Sequence, residues 1–106
     1  MKKIKLFLDD VRPAPDGYQL VKTVNELQRK VIQYEHINEV SLDNDLGTNH
    51  LEGYDFVKWF IQQKIENKPY TINIFHIHSA NPIAVTNMRS LLSNAIKCGL
   101  IKSIIK

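Results

Sequence analysis

The chain has 106 residues, 43% hydrophobic and 24% charged, which is ordinary globular usage and excludes a disordered, collagenous or coiled-coil chain. A single domain over residues 1–106 is expected at this size. Fourteen Lys and Arg against eleven Asp and Glu leave a net charge of +3, an excess that favours anionic ligands without requiring nucleic acid. The single cysteine, Cys98, excludes an intrachain disulfide and a multi-cysteine zinc site. No apolar stretch approaches the roughly 20 residues of a spanning helix, and MKKIKLFLDD turns acidic too soon for a secretory leader. The expected location is the cytoplasm, with no membrane partner.

In chain order, Ile4–Leu8 reads as a short buried strand that stops at Asp9 and Asp10. Val11 to Gly17 holds two prolines and a glycine, so it is a constrained loop. Tyr18–Lys22 predicts a short second strand, and Thr23 with Glu26 matches a capping box opening a helix to about Tyr34, with Val24, Leu27 and Val31 on its apolar stripe. Glu39–Leu42 predicts a third strand, again ending in acids, Asp43 and Asp45, followed by a loop over residues 48–52. Phe56, Val57, Phe60, Ile61 and Ile65 recur at helical spacing from about Gly53 to Asn67. The β-branched and aromatic run Thr71–Ser79 is a fourth strand. Asn81-Pro82 then reads as an N-cap with proline at the first helical position, the helix running to Gly99, and Lys102–Ile105 is a last strand.

Strands alternating with helices predict an α/β fold with a parallel sheet covered by helices on both faces, whose ligand site lies at the carboxyl ends of the strands. Asp9 and Asp10, Asp43 and Asp45, and His78 with Ser79 all end strands, so separate stretches of sequence converge on one edge. Between Asp10 and Tyr18 there are too few residues for a helical crossover of a dozen or more, so the first connection must be reduced.

This layout resembles the CheY-like, flavodoxin-like receiver domains of two-component signalling, with paired acids after the first strand, an aspartate after the third and a hydroxyl after the fourth. LFLDDVRPAPDGY, VSLDNDLG, EGYDFVKWF and HSANPIAVTNM more closely resemble the cyclic-phosphate-processing receiver-like family, over about Leu6 to Leu92. The receiver resemblance implies a three-layer sheet, Asp9 and Asp10 as metal-site acids, Asp43 as the counterpart of a phosphate-accepting aspartate and Ser79 as the counterpart of a switch hydroxyl, while the expected absence of the usual fifth helix is a departure from it. Only Lys106 is placed to stand for the usual lysine, which counts against a phosphorelay switch.

Clustered carboxylates with hard oxygen donors suit Mg²⁺ or Mn²⁺, so Asp9, Asp10, Asp43 and, at lower rank, Asp45 are the expected metal ligands; zinc is not expected. Arg12 is expected to fork onto phosphate, or to hold the acids ionised. Asn81 opens a helix whose N-terminus favours anions, and Asn87 is taken as a phosphate contact on the family motif alone. Asp43, His78 and Ser79 are the expected catalytic residues, His78 as proton donor to a leaving oxygen and Asp43 as ligand or nucleophile. His76, deeper on the same strand, reads as a satisfied structural residue, while Tyr18 and His50 are placed to rim the pocket.

The expected function is metal-dependent hydrolytic opening of a cyclic phosphate on a small nucleotide or an RNA end. The alternatives are a non-enzymatic module binding a cyclic nucleotide or a protein, and, last, a phosphoacceptor receiver. No interleaved basic and aromatic stripe marks a surface for long nucleic acid, and no DNA partner is expected. Substrate identity, product regiochemistry and oligomeric state stay open.

Overall fold

The computed structural model describes residues 3–47 and 50–106. Its elements in chain order are β1 (Lys5–Leu8), β2 (Gln19–Val21), α1 (Val24–Tyr34), β3 (His36–Leu42), α2 (Gly53–Ile65), β4 (Thr71–Ile77), α3 (Pro82–Lys97) and β5 (Ile104–Ile105). The five strands pair in parallel in the order β2-β1-β3-β4-β5. The parallel α/β receiver-like class, the loop in place of a first crossover helix and the three helices match the expectation. Two residues of the expected 48–52 loop, Thr48 and Asn49, lie outside the described residues.

Local chemistry sets the element ends. Thr23 Oγ1 accepts from Glu26 N at 3.1 Å while Glu26 takes the Lys22 amide at 2.9 Å, closing the first turn of α1. Asn81 Oδ1 accepts from Ala84 N at 3.1 Å and Pro82 follows at the first helical position, so α3 starts where the sequence places it. The strand ends differ more. β3 begins at His36 rather than Glu39, because its register against β4, His36 opposite Thr71 and Ile37 opposite Ile72, extends pairing through polar residues that read as loop. β4 stops at Ile77, since Ser79 Oγ accepts from Asn81 N at 3.1 Å and turns the chain toward the helix.

One irregularity decides which side chains share a face. The amides of Asn38 and Glu39 both donate to Ile4 O, at 2.8 and 3.2 Å, which is a bulge in β3. Beyond it the alternation is shifted by one, so Ile37, Val40 and Leu42 all reach the core at 0–1% exposure. The other face then carries Glu39 and Ser41, beside Lys5 and Phe7 of β1 and His76 of β4.

The helices are distributed differently from the expected cover on both faces. Each helical crossover, β2 to β3, β3 to β4 and β4 to β5, steps the same way along the sheet, and right-handed crossovers stepping one way place their helices on one side. Only β1 to β2 steps the other way, and it is a loop. Accordingly α2 packs against both α1 and α3, and one hydrophobic cluster joins Leu6, Leu8 and Phe75 of the sheet to Leu27, Phe56, Phe60, Met88 and Leu92 of the helices. The opposite face is left to polar and aromatic side chains, and it leads up to the carboxyl edge.

Candidate functional site

At the ends of β1, β3 and β4, Asp9, Asp43 and His78 bring one ligand atom each to within 4.8 Å of one another. Parallel pairing makes this convergence automatic: Leu8 is opposite Leu42 and Leu42 opposite Ile77, so the next residue or two of each strand emerge side by side. The Asp43 amide donates to Leu8 O at 3.1 Å and the His78 amide to Leu42 O at 2.9 Å, continuing the ladder into the site.

Asp9 is 1% exposed. Its Oδ1 accepts from the Val11 and Arg12 amides, both at 2.9 Å, and its Oδ2 lies 3.0 Å from His78 Nε2. Burial pulls the Asp9 carboxyl upward, but the Arg12 and Val11 amides together with His78 outweigh it, so its pKa falls below the ordinary value. The prolines after it explain the loop that delivers those amides. Asp43, half-buried, is shifted the other way: burial raises it, Asp9's charge adds to the rise, and the Asn44 amide, His78 and Arg12 offset only part.

His78 is held on three sides. Nδ1 lies 2.7 Å from Ser41 Oγ, Nε2 faces Asp9, and its ring stacks on Phe7 at 4.3 Å and 4°. With the Asp9 carboxylate accepting from Nε2–H, a neutral ring accepts a hydrogen bond from the Ser41 hydroxyl at Nδ1, which selects one tautomer. Arg12 is fastened to the rim: Nη1 donates to His78 O at 2.9 Å, and Nε sits 4.0 Å from Asp9 Oδ2. About half of its side chain is exposed, leaving other guanidinium N–H groups for an anion.

The remaining expected residues fall elsewhere. Asp10 is exposed, with its carboxylate toward the backbone of Gly47, and Asp45 is exposed and accepts from Asn44 Nδ2 at 3.0 Å; among the described residues neither joins the three-residue cluster. Ser79 shapes the turn into α3, and Asn81 caps that helix. Asn87 is exposed and lines a cleft of about 200 Å³ with Asn81, Asn44 and Tyr54. Lys106 is exposed, with its backbone amide on Phe75 O. His76 is satisfied as expected, 2.6 Å from Glu39 Oε1, and Tyr18 donates to the same carboxylate at 3.0 Å. His50 lies against the Gly47 turn.

Three residues that sequence reasoning passed over shape the site. Ser41 is visible only once the β3 and β4 register is known. Asn44 is buried, accepts from Tyr54 N through Oδ1, and donates to Glu52, tying the end of β3 to the start of α2. Gly53 lets that helix start lie on the strand end, because a Cβ there would meet Asp43 O at 2.1 Å. The EGYD run after the acids was the only trace of it in the sequence.

Asp9 and Asp43, with His78 beside them, form a cluster that could hold a metal ion. A larger cavity, about 410 Å³, lies at the opposite edge among Phe60, Lys64, Tyr70 and Leu100, and among the described residues its lining has no acid, histidine or cysteine. The acid and histidine cluster lies instead at the carboxyl edge.

The fold and this edge together define a receiver-like α/β protein with an acid and histidine site where a receiver carries its acids. The chain belongs to the cyclic-phosphate processing receiver domain family, whose pattern matches residues 4–94 and so spans every motif quoted above. A search among curated proteins finds no match to it. Among the described residues, no helix is long and apolar enough to cross a membrane.

Proposed function

We propose that this protein hydrolyses a cyclic phosphate on a nucleotide or an RNA end, with Asp9, Asp43 and His78 as the reacting site. The observation that carries this reading is the convergence of the three side chains from three strand ends, in a chain of a family described by cyclic-phosphate processing. In the reaction a water oxygen bonds to phosphorus and one ring P–O bond breaks. The water loses a proton, the leaving oxygen gains one, and a monoester results.

Asp9 and Asp43 would hold a divalent cation, which when bound supplies charge stabilisation to the phosphoryl oxygens. Arg12, already fixed to the rim by His78 O, pairs with those oxygens through its outward N–H groups. His78, in the form that carries both ring protons, gives the Nε2 proton to the leaving oxygen, while Nδ1–H donates to Ser41 Oγ and holds the opposite end of the ring in place. The N-terminus of α3, which opens just beyond His78 in the chain, is the helix end we assign to favour the phosphate's negative charge.

The test is incubation of the purified protein with 2′,3′-cyclic and 3′,5′-cyclic nucleotides and cyclic dinucleotides, with Mg²⁺ or EDTA, read by chromatography and mass. Ring opening with a gain of one water that stops in EDTA is expected. Binding of an intact cyclic phosphate with no turnover under any divalent cation would replace this reading with a binding module.

A further inference from the structure

Next to the acid site, and separate from it, lies the cleft of about 200 Å³ between the first turns of α2 and α3. Its walls include Asn44, Glu52 and Tyr54 on one side and Asn81, Ile83 and Asn87 on the other. Asn44 directly follows Asp43, and Asn81 is three residues beyond His78, so the cleft opens onto the same sheet edge.

The lining argues against a phosphate there. It holds no lysine, arginine or histidine, and its one charged residue is Glu52. A second anion would meet that carboxylate with no cation in the lining itself, Lys58 Nζ being engaged over the Tyr54 ring, 5.4 Å from its centroid. What the walls offer is neutral hydrogen bonding and flat apolar surface. A side-chain amide presents a donor and an acceptor together, the complement of a nucleobase edge. Asn81 keeps its NH₂ group for such a partner, since only its Oδ1 is committed to the helix cap. Asn87 projects from an exposed position one turn and more along α3, and Ile83 stands 73% exposed at the mouth. Its side chain gives the cleft an apolar surface on which a flat ring can lie. The volume also discriminates, being below the roughly 300–1,000 Å³ of pockets that enclose a whole ligand. It suits one ring system whose remainder lies outside.

We propose that this cleft is the base subsite of the substrate, so that the protein acts on nucleoside cyclic phosphates: the base enters between α2 and α3 while the cyclic phosphate meets Asp9, Asp43 and His78. The proposal rests on the reading of that edge as the phosphate site. It assigns Asn87 to the base rather than to the phosphate, and it makes Ile83 a cover for the ring.

The test compares adenosine and cytidine 2′,3′-cyclic phosphates with glycerol 1,2-cyclic phosphate, which carries the same strained diester and no base. Binding is followed by amide and methyl resonances of the full chain. The nucleosides are expected to move the Asn87 and Ile83 signals and to bind about threefold to tenfold more tightly than the baseless diester, the span of one or two hydrogen bonds. Asn87→Ala and Ile83→Ser should each reduce that advantage, and exposed positions of this kind leave the fold intact. Equal binding of nucleoside and baseless diesters, or an advantage that survives both variants, overturns the subsite.

Turnover separates the two readings. Hydrolysis of all three diesters without base preference removes the subsite and keeps the phosphoesterase. Base-dependent shifts at Asn87 with no hydrolysis keep the subsite and remove the phosphoesterase. A short RNA ending in the same cyclic phosphate presents the same base and diester, and its affinity relative to the mononucleotide tells which source the cleft is built for.

Discussion

Two acid and histidine pairs lie on the same face of the sheet, and their histidines are two residues apart, one within β4 and one just past its end. His76 meets Glu39 at 2.6 Å in the middle of the sheet, and His78 meets Asp9 at 3.0 Å at its edge. Glu39 is also 3.4 Å from Lys5 and accepts from Tyr18, whose ring in turn lies under the Lys5 ammonium at 5.5 Å. One carboxylate there is surrounded by donors, and the His76 bond, together with Tyr18 and Lys5 and against the effect of burial, takes Glu39 down to about 2. At the edge the balance is reversed. Two carboxylates share one imidazole and a half-exposed guanidinium, and burial pushes Asp43 up rather than down. Similar residues therefore make a carboxylate tied by several donors in one place and a cluster with an extra carboxylate in the other. The difference lies in the partners and not in depth: Lys5 and Tyr18 complete the first cluster, while the second gains Asp43, and its Asp9 and His78 are 1% and 18% exposed against 16% and 30% for Glu39 and His76.

The sharpest way to break the comparison is to substitute residues of each cluster in turn. Asp43→Asn and His78→Ala are each expected to lower cyclic-phosphate hydrolysis by about 100-fold or more, the usual scale for a proton-transfer group or a ligand to the reacting centre. Their circular dichroism should match the parent. Glu39→Gln should leave turnover within about twofold while lowering the melting temperature. If Glu39→Gln stopped turnover and Asp43→Asn did not, the assignment of tie and site would be reversed.

Gly53→Ala comes next, because it strikes the edge through backbone alone. Its new Cβ would lie 2.1 Å from Asp43 O, and neither a strand end nor a helix start gives way cheaply. A loss of about 3 kcal/mol in denaturant unfolding is expected, at the upper end of overpacking costs, together with loss of turnover as Asp43 shifts. Unchanged stability would mean that α2 does not press on the strand end.

Much of the edge was legible in the sequence because apolar runs that stop abruptly at Asp9, Asp43 and His78 mark strand ends, and parallel strands place their ends together. The helix starts at Thr23 and Asn81 were legible for a similar reason, since capping is a local property of a few adjacent residues. What stayed hidden depends on pairing between distant segments. The start of β3 at His36 comes from its partner Thr71, and no local preference of His36 or Asn38 announces it. The bulge at Asn38 and Glu39 sends Glu39 and Ser41 to the face of His76 and His78, and it is written in the register rather than in a motif. Helix cover on one face follows from strand order, which alternation of strands and helices does not fix.

The mid-sheet tie has its own signature in acid. Glu39 has a folded pKa of about 2 against an ordinary 4.5, so its ionised form is favoured by folding. That contribution is fully present above pH about 4.5 and is lost as pH falls toward 2. With Lys5 and His76 about a third exposed, solvent screening brings the expected effect to about 1–2 kcal/mol. Parent and Glu39→Gln unfolding curves should therefore converge between pH 4.5 and 2. Parallel curves over that range would show that the tie gives Glu39 no preference for its charged form.

The smallest expected effect falls on Ser41, the residue that stands between the two clusters, opposite His76 in the register and bonded to His78. Removing its hydroxyl leaves His78 Nδ1 without its 2.7 Å partner, at a cost of about 1 kcal/mol. The ring does not come free, because Phe7 still stacks on it and Asp9 still holds Nε2. Ser41→Ala should therefore lower kcat by less than about tenfold with KM unchanged, since the serine positions the imidazole and does not touch substrate. Ser41→Thr returns the hydroxyl and should restore kcat. If threonine failed to restore it while stability recovered, Ser41 would belong to the packing of the open face alone, and the tautomer of His78 would be set by Asp9 without help from the strand beside it.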